Sequence, residues 1–165
     1  MSSTPSILFV CMGNICRSPS AEIIWSQKLQ DAGLKGTCDS AGTIGYHQGE
    51  PPDARMQGAL KQAGYRPFGH SRKVEARDLD RFDWILAMDR ENLHALQQLA
   101  ASSGKSSDHC RLMLEFAGIS DVAEVPDPYY GGTAGFDHVV QLLERASDQL
   151  IERFQSLAND DASTA

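Results

Sequence analysis

Two uninterrupted apolar runs, Ile7-Leu8-Phe9-Val10-Cys11 and Trp84-Ile85-Leu86-Ala87-Met88, constrain this 165-residue chain more than any other feature. Each has the length of a strand and lacks the alternation of a strand with one wet face, which predicts a strand covered on both sides. Each is followed by helix punctuation. After the first run come the loop Met12 to Arg17 and then Ser18 and Pro19, which read as an N-cap and a first helical residue, with Glu22 in the first turn. Ala21, Ile24, Trp25, Leu29 and Ala32 keep helical spacing up to Gly33. Asp89 caps a second helix carrying Leu93, Leu96 and Ala100. Between them, Thr37 to Ala41 predicts a short strand, and Asp53 opens a helix with Met56, Ala59, Leu60 and Ala63 on one face before Gly64. Cys110 to Phe116 reads as beginning with a strand. A last helix spans about Gly135 to Ala158, with Val139, Leu142, Leu143, Ala146, Leu150, Phe154 and Leu157 at a 3.6 period, and the residues after Asn159 read as frayed.

Strands alternating with helices predict an α/β fold: a four-stranded parallel sheet with helices on both faces, in one domain over residues 1–165 with its core at about 6–158. Ligands of such sheets bind beyond the carboxyl ends of the strands, near the point where the strand order reverses. That directs attention to the loop after the first strand.

Composition narrows the partners. Fifteen Lys and Arg against 22 Asp and Glu give a net charge of −7, a field that repels nucleic acid and anionic membranes. Residues 126 to 165 hold five Asp, two Glu and two Arg, a balance of −5 that leaves −2 for the rest. Four cysteines, Cys11, Cys16, Cys38 and Cys110, are too few for a disulfide scaffold. Met1 to Pro5 offers neither a charged segment nor an apolar one of the secretory kind, and no apolar run would span a bilayer. A cytoplasmic protein with available thiols is expected, without a membrane or nucleic-acid partner.

The chemistry concentrates in Cys11-Met12-Gly13-Asn14-Ile15-Cys16-Arg17-Ser18. A loop that leads from a strand into a helix start can turn its amides inward as a nest for a tetrahedral anion, with the helix dipole adding attraction. Gly13 suits any positive φ the curvature requires, and Asn14 also tolerates one. Arg17 supplies a planar fork matched to two phosphoryl oxygens. An ordinary thiol is about 3% ionised at neutral pH, whereas a helix N-terminus and an adjacent arginine favour the thiolate, so Cys11 is the expected nucleophile. Ser18 can donate to its sulfur. Asp127 lies between Pro126 and Pro128, which restrict the backbone around a carboxylate. A zinc reading of Cys11 and Cys16 has no second ligand pair, and no Gly-Lys-Ser/Thr follows to make a nucleotide phosphate loop.

The segment Val10 to Pro19, together with Asp127-Pro128-Tyr129-Tyr130, Asp39-Ser40-Ala41-Gly42-Thr43, Gly49-Glu50-Pro51-Pro52-Asp53 and Met88-Asp89, resembles the low-molecular-weight protein tyrosine phosphatases over about residues 6 to 158. The resemblance implies a metal-free and cofactor-free hydrolysis of phosphotyrosine through a phosphocysteine on Cys11. Arg17 would bind the phosphoryl group and Asp127 would serve as general acid and then base. It implies a supporting network of Asn14, Ser40 and His70, and cleft walls at Tyr46, His47, Tyr129 and Tyr130. It also implies that Cys16 captures an oxidised Cys11 as a reversible disulfide. Tyrosine-phosphorylated proteins are the expected partners, inorganic phosphate the product and competitive inhibitor, and a monomer the working form. Two alternatives stay open: an arsenate reductase of the same fold, which would need a further thiol pair, and a phosphate-dependent binding protein.

Overall fold

The computed structural model describes residues 3–164, with side chains as far as residue 160. The elements run β1 (Ile7–Cys11), α1 (Arg17–Asp31), β2 (Cys38–Gly42), α2 (Ala54–Gln62), α3 (Asp78–Arg81), β3 (Trp84–Ala87), α4 (Arg90–Ser102), β4 (Cys110–Leu112), α5 (Met113–Phe116) and α6 (Thr133–Thr164). The four strands form one parallel sheet in the order β2-β1-β3-β4. The chain steps from β1 to β2 on one side and then crosses to β3 on the other, so the order reverses between β1 and β3. The carboxyl end of β1 therefore opens at the switch point.

Side-chain parity along β1 explains the two cores. Ile7, Phe9 and Cys11 face the larger one, built with α1, α2, α5 and α6, where Trp25 meets Phe154 edge-on at 5.9 Å. Leu8 and Val10 face the smaller one, with Leu79 of α3 and Leu96 and Ala100 of α4. All five residues of β1 are buried, as a strand with helices on both faces requires.

Several boundaries differ from those read in the sequence. α1 begins at Arg17, and its N-cap is Cys16, which makes no side-chain cap. Ser18 does not cap because its hydroxyl is committed to the loop. Pro19 is the third helical residue, where its missing N–H is still no loss. β2 lies one residue later than read, and α3 is too short to show a period. α6 starts at Thr133 and continues past Asn159 to Thr164, since neither glycine nor proline interrupts it after Gly135. Its buried stripe stops at Phe154, leaving Leu157 exposed. Ala63 is exposed as well. Asp53 caps α2 by accepting from Arg55 N, and Asp89 caps α4 in a reciprocal box with Asn92. Among the described residues, no helix is long and apolar enough to cross a membrane.

Candidate active site

The loop from Cys11 to Ser18 is held from beneath, and Asn14 is its keystone. Asn14 takes φ 56° and is buried. Its Nδ2 donates to Ser18 Oγ at 2.7 Å and to Ser40 Oγ at 3.0 Å, while its Oδ1 accepts from Arg72 N at 3.0 Å. Ser18 Oγ accepts from Asn14 and lies 3.0 Å from Cys11 Sγ and 3.4 Å from Ala41 O, so its single proton turns to the sulfur once that sulfur is a thiolate. Asn14 N also donates to that sulfur, at 3.3 Å. Cys11 thus receives two donors at the end of β1, beside the N-terminus of α1. The positive φ that the loop needs sits on Asn14 rather than on Gly13. Gly13 instead leaves room for His47, whose Cδ2 a Cβ there would crowd at 3.1 Å. Gly42 is required for the same reason: its Cβ would meet Met12 O at 2.7 Å.

Ser40 continues the network outward by donating to Glu22 Oε1 at 2.7 Å. Burial of Glu22 pushes its carboxyl up to about 7, against the pull of the Ser40 hydrogen bond. Glu22, expected in the first turn of α1, lies beyond it because the helix begins at Arg17, and it faces the loop's support.

Arg17 is buried, and its Nη1 is shared between Asp89 Oδ2 at 2.6 Å and Val125 O at 3.0 Å. Burial disfavours its charge, but Cys11, Asp89 and Asp127 outweigh that and keep it protonated. Asp89 therefore does two jobs, capping α4 with one oxygen and fixing the arginine with the other. The other terminal nitrogen, Nη2, lies 3.7 Å from Asp127 Oδ2. Asp127 accepts from Tyr129 N through Oδ1 at 3.0 Å, and its side chain is 38% exposed.

These groups surround a cleft of about 310 Å³, lined by Cys11, Met12, Gly13, Ile15, Cys16 and Arg17 below and by Ile44, Tyr46, His47, Asp127, Tyr129 and Tyr130 around the mouth. Tyr46 and Tyr130 are 82% and 93% exposed and form its outermost rim. His47 is tied to Glu50 Oε2 at 2.7 Å and packs edge-on against Tyr46. Every sequence-read residue of the loop and walls is thus gathered at one place, with Asn14, Ser18 and Ser40 beneath it. His70, expected to support the loop with Asn14 and Ser40, is exposed and lines a small depression together with Asn14, Glu22 and Ser40, while the neighbouring Ser71 and Arg72 supply hydrogen bonds to the loop. Cys16 is buried, and burial, joined by the charges of Asp53, Cys11 and Asp127, pushes its thiol well above the usual range.

The family described as low molecular weight phosphotyrosine protein phosphatase matches residues 6–162. The chain belongs to that family. It is 43% identical to the low molecular weight protein-tyrosine-phosphatase YfkJ of Bacillus subtilis, over 91% of this chain and 96% of that one. The crystal structure of YfkJ superposes with a TM-score of 0.84. A protein tyrosine phosphatase from Entamoeba histolytica, solved with Hepes in its active site, superposes with a TM-score of 0.85 at 41% identity, covering 93% of this chain and 98% of that one. Membership makes this chain a low molecular weight phosphatase with the fold its relatives share.

Three parts of this phosphatase site were absent from the sequence reading as functional residues: Asp89 as the partner of Arg17, Arg72 as the support of Asn14, and Glu22 as the end of the network. Asp89 carried one signal, its place just after a buried strand. Arg72 carried none, because only its backbone N–H touches the loop. That N–H is held in place by the side chain, which bridges Asp39 and the fully buried Asp78.

Proposed function

We propose that this phosphatase hydrolyses phosphotyrosine in proteins, and small aryl phosphates, through a phosphocysteine on Cys11. The observation that supports this best is the meeting of the Cys11 sulfur, the buried Arg17 fork and the Asp127 carboxyl at one cleft with an aromatic mouth. The phosphoryl oxygens lie against the amides of Met12 to Arg17 and the guanidinium. Cys11 attacks phosphorus as the thiolate, the P–O bond to the phenol breaks, and Asp127 gives its proton to the departing oxygen. The resulting carboxylate then takes a proton from water as that water attacks phosphorus. The S–P bond breaks, the thiolate is recovered with the Ser18 proton directed at it, and inorganic phosphate leaves from the same cradle, where it competes with substrate. Preference for phosphotyrosine over phosphoserine is expected, because Cys11 is buried at the floor of the cleft and the mouth is aromatic. The enzyme works as a monomer in the cytoplasm without metal or cofactor.

Cys38 and Cys110 lie on β2 and β4, at opposite edges of the sheet, and burial raises both thiols to about 11. That separation disfavours a thiol relay of the arsenate-reducing kind. Cys16 shares the loop with Cys11 and is the thiol placed to capture a sulfenic acid there. Its suppressed ionisation predicts slow capture, measurable as a Cys11–Cys16 disulfide by mass spectrometry after mild peroxide. Sulfinic acid on Cys11 with Cys16 untouched would refute that guard role. The function itself is tested with Cys11→Ser: turnover of phosphotyrosine peptide is lost, and tyrosine-phosphorylated proteins are retained from a lysate. Full activity in that variant overturns the mechanism.

A further inference from the structure

Arg55 has no part in the chemistry above, yet it connects the two halves of the site. Its Nε and Nη2 donate to the two oxygens of Asp53, each at 3.1 Å. The guanidinium carbon also lies over two rings, 5.3 Å from the centroid of Tyr129 and 4.7 Å from that of Phe136. The forked hydrogen bonds to Asp53 and the cation–ring contacts are thus made by one guanidinium at once. Asp53 N donates to Ile15 O, within the phosphate-binding loop, at 2.8 Å. Tyr129 N donates to Asp127 Oδ1 at 3.0 Å. A continuous path therefore runs from Ile15 through Asp53, Arg55 and Tyr129 to Asp127. Phe136 is buried, so the far side of the path stands on the core.

The segment bearing Asp127 is anchored differently at its start. Val125 N donates to Met88 O at 2.9 Å, and Glu124 accepts from Arg90 N at 2.8 Å. Beyond Asp127, Gly131 N donates to Pro128 O at 2.9 Å, a contact internal to the turn. The ring of Tyr129 on Arg55 ties this downstream part back toward the nucleophile's loop.

We propose that Arg55 is a positioning residue, a brace that sets the distance between Asp127 and the Cys11 loop and so governs proton transfer to the leaving group. This rests on Asp127 being the general acid. A lysine cannot make the two-pronged contact to Asp53 while lying over both rings, so positive charge alone does not replace the brace.

The test is the dependence of kcat/KM on leaving-group acidity over a series of aryl phosphates, from phenyl to dinitrophenyl, in wild type, Asp127→Ala, Arg55→Ala, Arg55→Lys and the Arg55→Ala/Asp127→Ala pair. Misplacing a catalytic group by about 1 Å can cost roughly 10²-fold. Arg55→Ala should therefore lose about 10- to 100-fold on phenyl phosphate and less than about threefold on the dinitrophenyl ester, which needs little protonation. Arg55→Lys should behave like Arg55→Ala, and the double variant should be no slower than Asp127→Ala. A uniform loss across the series, an additive double variant, or full rescue by lysine overturns the brace while leaving Asp127 as the acid. If Asp127→Ala itself keeps the wild-type dependence, the acid assignment fails and the brace fails with it.

Discussion

The two loops that meet at the cleft are built on opposite plans. The phosphate-binding loop from Cys11 to Ser18 is over-determined: Asn14 uses both ends of its amide, Ser71 Oγ donates to Gly13 O at 3.0 Å, and Gly42 is bare so that Met12 can pass. The segment from Glu124 to Gly132 is pinned at its start and beyond that is held by side-chain contacts, Tyr129 on Arg55 and the core and Asp127 near Arg17, and by one turn around Asp127. An anion cradle stabilises developing charge only if its dipoles are already oriented, so reorganisation there would cost rate directly. An acid beside an entrance must instead let a bulky ester in and then meet its oxygen. The contrast places the rigidity where charge develops and the freedom where the substrate passes.

The contrast can be broken experimentally. Replacing the sulfur in Cys11→Ser should abolish turnover, by about 10⁴-fold or more, while leaving inorganic phosphate affinity within a fewfold, because the prebuilt cradle does not depend on the nucleophile. Isothermal titration calorimetry and p-nitrophenyl phosphate hydrolysis read the two quantities. Loss of phosphate binding along with turnover would mean that the loop is not preorganised.

Asp127→Ala should lower turnover of phosphotyrosine by roughly 10²- to 10⁴-fold and leave thermal stability nearly unchanged, as expected for a partly exposed side chain on the lightly held loop. Asn14→Ala should do the reverse in kind, destabilising the fold by roughly 2–4 kcal/mol through left-handed strain and unpaired buried donors and acceptors. Its activity should fall about 100-fold through misplacement of Ser18 and Cys11. Urea unfolding alongside steady-state kinetics separates the two. Equal stability of the Asn14 and Asp127 variants would erase the distinction between the loops.

The smallest effect belongs to Glu22. Its folded carboxyl titrates at about 7 rather than near 4.5, so the native state holds a proton that the unfolded chain has already released. Stability is therefore lost as pH rises from about 4.5 through 7. Glu22→Gln removes that loss, and its advantage over wild type should grow between pH 5 and 8 to roughly 1–3 kcal/mol. A stability difference independent of pH would show that the carboxyl does not titrate in this window.

What could be read from sequence was whatever is contiguous. β1, the loop, the helix start and Asp127 between two prolines each carry their signal within a few residues, and the parallel order follows from alternation and the handedness of crossovers. The pairs that hold the site together do not. Arg17 and Asp89 are 72 positions apart, and Asn14 and Arg72 are 58 apart. Ser18 illustrates the limit well: its place before a proline suggests a cap, and only the fold reveals that its hydroxyl sits between the Cys11 sulfur and the Asn14 amide. Arg72, two residues after His70, shows the converse limit, since it reaches the loop through a backbone group that any residue type could offer.

The 32-residue α6 begins immediately after the segment that bears Asp127 and runs away from it. At 1.5 Å per residue its far end lies about 48 Å along the axis from its first turn. A dye, affinity handle or solid support attached there would stand clear of the mouth formed by Tyr46 and Tyr130. The enzyme can thus be immobilised or tracked by its last helix while a whole phosphorylated protein still has room to dock.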